Sequence, residues 1–273
     1  MAEPIVATKE MLEQIFDGAA GLYDEVGPSI FRQFGARLVD WMALALDARV
    51  LDVGTGKGAA LIPAARRVGA SGFVIGVDLS SAMLAEAERA ARGARIANYR
   101  LQKMDAEHLE FSDASFDAVT CAFSLFFFPA MDAALRETHR VLKPGGRIGI
   151  SMWGKAPFDP AWKMFAEQAR AYGVEVRNPQ RIAYSPPDVQ ALLAAPGFID
   201  IETRGETSEV VYAREEDWWN FQLTLASRAA IYRMDEDTRA RFKEEYLAKL
   251  RPFFQADGLR LPAPVIYAVS SRQ

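Results

Sequence analysis

The stretch Val50-Leu51-Asp52-Val53-Gly54-Thr55-Gly56-Lys57-Gly58 concentrates the most specific chemistry of this 273-residue chain. An apolar, strand-like run ends in three glycines at alternate positions, just before a helix-forming stretch. Glycines at such a corner let the backbone bend tightly and approach a bound nucleotide-like ligand without Cβ clashes. With Ala59 the run also satisfies the loose dinucleotide pattern G-x-G-x-x-G/A. Lys57 does not make it a phosphate-gripping Walker loop, because the spacing G-x-x-x-x-G-K-[ST] is absent. Asp78, twenty residues after Gly58, closes a second apolar run, Phe73 to Val77. A carboxylate at that strand end can accept both hydroxyl hydrogens of a ribose diol. This spacing serves NAD and any other adenosine-containing cofactor alike.

Other chemistries are poorly provided for. Cys121 is the only cysteine, so neither an intrachain disulfide nor a cysteine-built zinc site can form. His108 and His139 are the only histidines, and no metal is expected. His139, in a helix before Pro144-Gly145-Gly146, reads as structural, and His108 as a surface or turn residue. The balance of 32 basic against 36 acidic residues gives a net charge of -4, without the basic footprint of a nucleic-acid binder. Met1-Ala2-Glu3-Pro4 has neither a basic segment nor an apolar one of the secretory kind. The longest apolar run, Ala118 to Met131, is interrupted by polar residues and Pro129 and is too short to span a bilayer. A cytoplasmic protein is expected.

The elements that must position the glycine loop and Asp78 alternate in type. Val50 to Val53, Phe73 to Val77, Tyr99 to Met104, Phe116 to Ala122 and Arg147 to Trp153 read as strands. Helices are expected from Ala59 to about Val68, from Ser80 (a plausible N-cap) to about Arg92, and from Ala130 to Leu142, with a turn at Pro144-Gly145-Gly146. Strand and helix in alternation mean a parallel sheet covered on both faces. Residues 9–46 read as helices interrupted between Gly18 and Pro28. Beyond Trp153, Pro160 to Tyr172 and Pro187 to Ala195 look helical, and Ile199 to Tyr212 and Val265 to Ser270 extended. The stretch 215–254 is strongly helical. A last strand after a helical excursion suits an antiparallel edge. The expected fold is therefore α/β, with a seven-stranded, mostly parallel sheet, an antiparallel last strand and a helical cap.

Taken in series, these residues resemble the class I S-adenosylmethionine-dependent methyltransferases. Val50 to Gly58 is similar to the family's first motif, and Gly76-Val77-Asp78-Leu79-Ser80 to its acidic ribose-binding strand end. Asp105-Ala106-Glu107 resembles the adenine-contacting segment, Phe116-Asp117-Ala118-Val119 the start of the fourth-strand motif, and Arg140 to Gly146 the approach to the fifth strand. The nearest likeness is to the ubiquinone/menaquinone-biosynthesis type and its relatives that methylate small natural products. The resemblance implies a Rossmann-like fold: an N-terminal helical cap at 1–46, an S-adenosylmethionine-binding core at 47–155, and a remainder at 156–273 with a cap insertion at about 213–262. It places Gly54, Thr55 and Gly56 under the methionine part of the cofactor, counts Gly58 among the cofactor-binding residues, and has Asp52 orienting that loop or reaching the amino group through water. It gives Asp78 the ribose, sets Leu79, Met83 and Met104 against the adenine, and has Asp105 and the Ala106 N–H read the base. Phe123 and Ser124 would border the methyl group.

Methyl transfer from a sulfonium is an in-line displacement whose leaving thioether needs no acid, so alignment in a dry pocket can supply much of the acceleration. An oxygen acceptor ordinarily needs a base as well. Many members of the family carry a histidine after the fourth strand; here the chain reads Leu125-Phe126-Phe127-Phe128. That departure favours an apolar substrate pocket, a self-activating nucleophile (amine, acidic phenol or enol carbon), or a base supplied from the flanking regions. Phe16, Tyr23, Phe126, Trp153, Trp218 and Trp219 are the candidate substrate-pocket walls, and Tyr23 the one catalytic candidate. The expected activity is methyl transfer to an O, N or C atom of a small apolar or aromatic metabolite, by a monomer or homodimer. The alternatives are an NAD(P)-dependent oxidoreductase and a non-catalytic S-adenosylmethionine-binding protein.

Overall fold

The computed structural model describes residues 8–174, 176, 184–225 and 227–273; the first seven residues of the expected N-terminal cap fall outside it. Two amphipathic helices open the chain, α1 (Lys9–Ala19) and α2 (Ile30–Met42). The alternating part follows as β1 (Arg49–Val53), α3 (Leu61–Val68), β2 (Phe73–Asp78), α4 (Ser81–Gly93), β3 (Tyr99–Lys103), β4 (Phe116–Ala122), α5 (Met131–Val141) and β5 (Leu142–Trp153). Val50 to Val53 are all buried, as a strand covered on both faces requires. Helix α3 starts at Leu61 rather than Ala59, since Gly58 at φ +84° still belongs to the loop. Ser80 does cap α4, its hydroxyl accepting from the Met83 N–H at 3.0 Å.

The remainder comprises α6 (Ala161–Ala171), α7 (Pro186–Ala194), β6 (Phe198–Tyr212), α8 (Glu215–Gln222), α9 (Ser227–Ile231), α10 (Glu236–Leu250), β7 (Phe254–Gln255) and β8 (Gly258–Arg272). The sheet runs β3-β2-β1-β4-β5-β8-β6, with the two-residue β7 paired to β8 outside this path. The described chain therefore has eight strands, one more than expected. Strand β8 is antiparallel, as expected, but it lies between β5 and β6 rather than at the edge. The reason is visible in its core: Val265 to Val269 are buried without alternation, which suits an interior strand. Pro144-Gly145-Gly146 do not precede β5 but bulge from it, between the pairs Phe116–Leu142 and Ala118–Arg147.

Because β1 pairs with β2 on one side and β4 on the other, the chain reverses its direction of travel across the sheet at β1. Ligands of open α/β sheets sit at such a switch, beyond the carboxyl ends of the strands. The excursion after β6 packs mainly against α6 and reaches the site only at its edge, through Phe221, Thr224 and Leu225. Trp218 Nε1 donates to Tyr246 Oη at 2.7 Å, which donates to the Ala161 carbonyl at 3.0 Å, joining α8, α10 and α6.

Helix α2 lies close against the loop after β1. A Cβ on Gly35 would stand 2.4 Å from the carbonyl oxygen and 2.6 Å from the carbonyl carbon of Ala59. These are backbone atoms that no rotamer change can clear. Gly35→Ala should cost about 1–3 kcal/mol through overpacking, a fall in Tm of about 2–8 °C by thermal melt for a chain of this size. An unchanged Tm would mean that α2 slides away freely.

Candidate active site

A cavity of about 520 Å³ opens above the carboxyl ends of β1, β2 and β4. Its floor is the glycine loop, where Gly54, Gly56 and Gly58 hold φ of +64°, +51° and +84°. A Cβ on Gly54 would meet Ser124 Cβ at 2.4 Å, whereas one on Gly56 would point into open space. Gly54 thus serves packing beneath the loop, and Gly56 leaves room for a ligand. Asp78 braces this geometry. Its Oδ2 accepts from the Gly56 N–H at 2.8 Å and its Oδ1 from the Ser80 N–H at 2.9 Å. Each oxygen keeps a lone pair, and the residue still lines the cavity.

Asp52 does not line it. It is 1% exposed beneath the loop, accepting from Thr55 Oγ1 and Thr120 Oγ1 at 2.6 Å each. Of the two roles the resemblance offers, the geometry fits loop orientation and not contact with the cofactor. Burial pushes its carboxyl up to about 6, against the pull of both threonine hydroxyls.

The other cofactor candidates meet around the same space. Leu79, Met83, Met104, Asp105 and Ala106 line one end, and Thr55, Gly56, Gly58, Phe123 and Ser124 the other. Phe123 holds a φ of +53°, an uncommon conformation for a bulky residue, and its ring meets Trp153 at 4.5 Å. Ser124 Oγ donates to the Val53 carbonyl at 3.0 Å, tying β4 to the loop.

The N-terminal segment supplies the opposite wall. Phe16, Tyr23 and Phe31 line the cavity, with Tyr23 stacked on Phe31 at 4.9 Å. Phe126 and Trp153 border instead a second void of about 20 Å³, which shares Phe16, Tyr23, Phe31, Phe123 and Phe127 with the main cavity and adds Thr224 and Leu225. Trp218 and Trp219, expected as pocket walls, line neither space. Trp218 is fully buried against Tyr212 and Phe221, and Trp219 faces Phe242; both glue helices together. His139 packs edge-on against Phe198 at 5.0 Å, and His108 is exposed. Neither lines the cavity.

Several residues of the site carry no motif. Asp24, 6% exposed, accepts from the Phe31 and Arg32 N–H groups at 3.2 and 3.1 Å, so it caps α2 from outside. Burial pushes it up to about 6. Lys57 pairs with Glu25 at 2.8 Å and Glu86 at 3.7 Å. Lys9, Leu12 and Glu13 of α1 complete the rim. The sequence held no signal for Asp24, since Ser29 stands in the ordinary capping position; the repeat of Leu12 and Phe16 marked α1 as amphipathic but not what it covers.

A carboxylate with free lone pairs at one strand end, an open glycine cradle at the next and an apolar slot beyond them fit an adenosyl cofactor with an amino-acid tail. The described residues provide no group of three or more His, Cys, Asp or Glu able to hold a metal.

Known proteins agree with this geometry. Residues 50–146 match the family model described as "Methyltransferase domain". The chain is 37% identical to nocamycin O-methyltransferase of Saccharothrix syringae over 186 residues, 67% of this chain and 65% of that enzyme. The match thus spans just under two thirds of that relative. It is 30% identical to demethylmenaquinone methyltransferase of Staphylococcus carnosus over 226 residues, covering 75% of this chain and 91% of the relative. Among solved structures, Haemonchus contortus phosphoethanolamine N-methyltransferase 2, held with phosphomonomethylethanolamine and S-adenosylhomocysteine, superposes with a TM-score of 0.60 at 21% identity, over 99% of this chain and 61% of that one; at that identity it speaks to the fold alone. The chain belongs to the class I S-adenosylmethionine-dependent methyltransferases, in the group of the demethylmenaquinone and ubiquinone enzymes. That membership sets the oxidoreductase alternative aside.

The raised carboxyl of Asp52 has a measurable consequence. Its folded-state pKa, about 6 against an ordinary 3.8, means that folding takes up a proton between those values. Its stabilising contribution is complete below about pH 4 and is lost as pH rises through about 6. The displacement corresponds to about 3 kcal/mol. Asp52→Asn should therefore gain in Tm on the unsubstituted protein by several degrees as melts move from pH 4.5 to 7.5. Asp24 is present in both proteins and cancels in the comparison, while the relief of Asp78 from its charged neighbour adds to the gain in the same direction. A constant Tm difference would show that Asp52 is ionised at ordinary cost.

Proposed function

We propose that the protein transfers the methyl group of S-adenosylmethionine to a nucleophilic atom of a small, largely apolar or aromatic molecule. The observation that carries this is one continuous cavity joining Asp78, the Gly56 cradle and the aromatic wall of Phe16, Tyr23 and Phe123. When bound, the cofactor supplies a methyl group on a positively charged sulfur. Asp78 holds the ribose hydroxyls, while Asp105 and the Ala106 N–H read the adenine edge. Thr55, Gly56 and Lys57 with its partner Glu25 meet the amino-acid tail. Phe16, Phe123 and Phe127 keep water from the reacting line, where alignment supplies much of the rate.

The aromatic side of the cavity holds no histidine among the described residues. Burial raises the Tyr23 hydroxyl far above its ordinary value, so at neutral pH it donates a hydrogen bond and takes no proton. Asp24, which caps α2 through one N–H to each oxygen and lines the same cavity, is a carboxylate beside the aromatic wall. On this reading the acceptor is a group that is nucleophilic unaided, such as an amine, an acidic phenol, an enol or a carboxylate. The names of relatives that act on nocamycin and aklanonic acid support a natural-product acceptor. The collapsed void beside Phe126 and Trp153 is where the acceptor's apolar body enters. In the same reading the chain works in the cytoplasm as a monomer or homodimer, with the segment before residue 47 and the core at 47–155 forming the cofactor chamber. Residues 156–273, through Thr224 of the 213–262 insertion, touch only the acceptor side. No helix among the described residues is long and apolar enough to cross a membrane.

Thermal shift tests the cofactor directly. S-adenosylmethionine and S-adenosylhomocysteine at a hundred times Kd should each stabilise by about 2.7 kcal/mol, a shift of about 5 °C, and NADH should give none. The reverse pattern would remove the cofactor reading, and stabilisation with no radiolabelled methyl transfer across amines, phenols and carboxylic acids would favour a binding protein.

Asp78→Ala should lower affinity for S-adenosylhomocysteine by roughly ten- to several-hundredfold, since hydrogen bonds to charged groups are worth about 1.5–3 kcal/mol each. An unchanged Kd by calorimetry in a folded variant would remove the ribose assignment.

A further inference from the structure

We propose that α1 is a door over the adenine end of the cofactor chamber and that Lys9 is its clasp, a positioning residue that holds Asp105 and gates both entry and release of the cofactor. The proposal rests on the cofactor assignment above and adds residues to it that no sequence motif marks. One face of α1, made of Lys9, Leu12, Glu13 and Phe16, lines the cavity. Only Leu12 and Ala19 of its eleven residues are buried, so apolar packing holds the helix lightly.

Polar links do the rest, and they end on the rim of the chamber or just behind it. Lys9 Nζ lies 2.6 Å from Asp105 Oδ2 and 2.5 Å from Glu107 Oε2. Glu13 pairs with Lys103 at the end of β3. Asp17 Oδ1 accepts from Ser80 Oγ at 2.5 Å and from the Ala82 N–H at 3.2 Å, at the head of α4. These partners flank the residues set against the adenosyl group: Met104 and Ala106 on one side, Leu79 and Met83 on the other. Phe16 extends the cover, its ring edge-on to Phe127 at 5.0 Å.

Lys9 does not exclude the adenine from Asp105. Asp105 Oδ1 is bound to the Glu107 N–H at 2.9 Å, and Oδ2, though shared with Lys9, retains a second lone pair for the base's amino group. The ammonium also separates two neighbouring carboxylates that would otherwise repel. Its clasp is nonetheless breakable: the Lys9 and Asp105 side chains are 34% and 30% exposed, and ion pairs at that exposure are weak singly and screened by salt. A cover tied by such pairs opens often, and while closed it withholds the cofactor from water.

The test follows S-adenosylhomocysteine association and dissociation by stopped flow on the full chain. Lys9→Met should raise both kon and koff, each by roughly three- to fivefold, the scale of one partly exposed ion pair. The rise in koff should be the larger, because Asp105 loses its anchor. Lys9→Arg should restore unsubstituted rates, and Glu13→Gln should move both rates the same way through a different link. Raising sodium chloride from about 50 to about 500 mM should speed both rates in the unsubstituted protein and do less in Lys9→Met. Slower kon, or an increase in koff alone, in variants with unchanged Tm would overturn the door and leave Lys9 a mere contact. Unchanged rates in both variants would overturn it equally. Absence of S-adenosylhomocysteine binding by the unsubstituted protein would instead defeat the cofactor assignment, so the two failures are distinct.

Discussion

The bond from the Gly56 N–H to Asp78 is the constraint on which the site depends. It joins the turn after β1 to the end of β2, and through the Ser80 N–H the same carboxylate also fixes the head of α4. A left-handed glycine turn has no stability of its own; it is held because a charged acceptor satisfies an N–H that would otherwise face the cavity unpaired. From below, Asp52 fastens Thr55 of the same turn and Thr120 of the neighbouring β4. The loop is therefore gripped between two carboxylates, one beneath it and one lining the cavity. Each raises the cost of ionising the other, so part of the fold's stability is spent on keeping the cradle in one shape.

That arrangement explains the strain on the far wall. Ser124 must pass close under Gly54 to reach the Val53 carbonyl, and the residue before it, Phe123, turns to a φ of +53°. A bulky residue in that conformation costs of order 1–3 kcal/mol, offset here by rings at 4.5 Å (Trp153), 5.5 Å (Phe31) and 5.6 Å (Phe34). The aromatic wall and the cradle are thus a single construction. Moving Phe123 to widen the acceptor side would pull on the strand that carries Ser124.

What was legible in the sequence was what is local. The alternation of strands and helices, the glycine corner and the carboxylate at the end of β2 all lie within one βαβ unit, where period and spacing carry the information. The interior place of β8 was also within reach, since Val265-Ile266-Tyr267-Ala268-Val269 lacks the alternation of an edge. What escaped is long-range. Lys9 meets Asp105 across 96 positions and Gln168 meets Phe242 across 74, and no periodicity encodes such pairings. Residue type misled at Trp218 and Trp219: a large aromatic on an amphipathic helix marks a contact face, but whether a ligand or another helix fills it depends on α10, some twenty residues further on.

On the proposed reading, the lack of a histidine after β4 and the heavily aromatic wall belong together. A dry, apolar pocket makes an ionised base expensive, because burial favours the neutral acid, as it does for Asp24 and Asp52. The same dryness strengthens the attraction between the cofactor's positive sulfur and any acceptor that arrives carrying its own negative charge or lone pair. A pocket walled by Phe16, Phe123 and Phe127 thereby selects on the chemistry of the nucleophile as well as on its shape. On that reading, acceptors that require deprotonation inside the site are disfavoured by the cost of the charge they would leave behind in an apolar wall. Those ionised or basic in water pay only desolvation, and the alignment of methyl, sulfur and attacking atom supplies the rest. If the proposed acceptor class is right, selectivity follows from the acidity of the acceptor before it follows from any single contact in the wall.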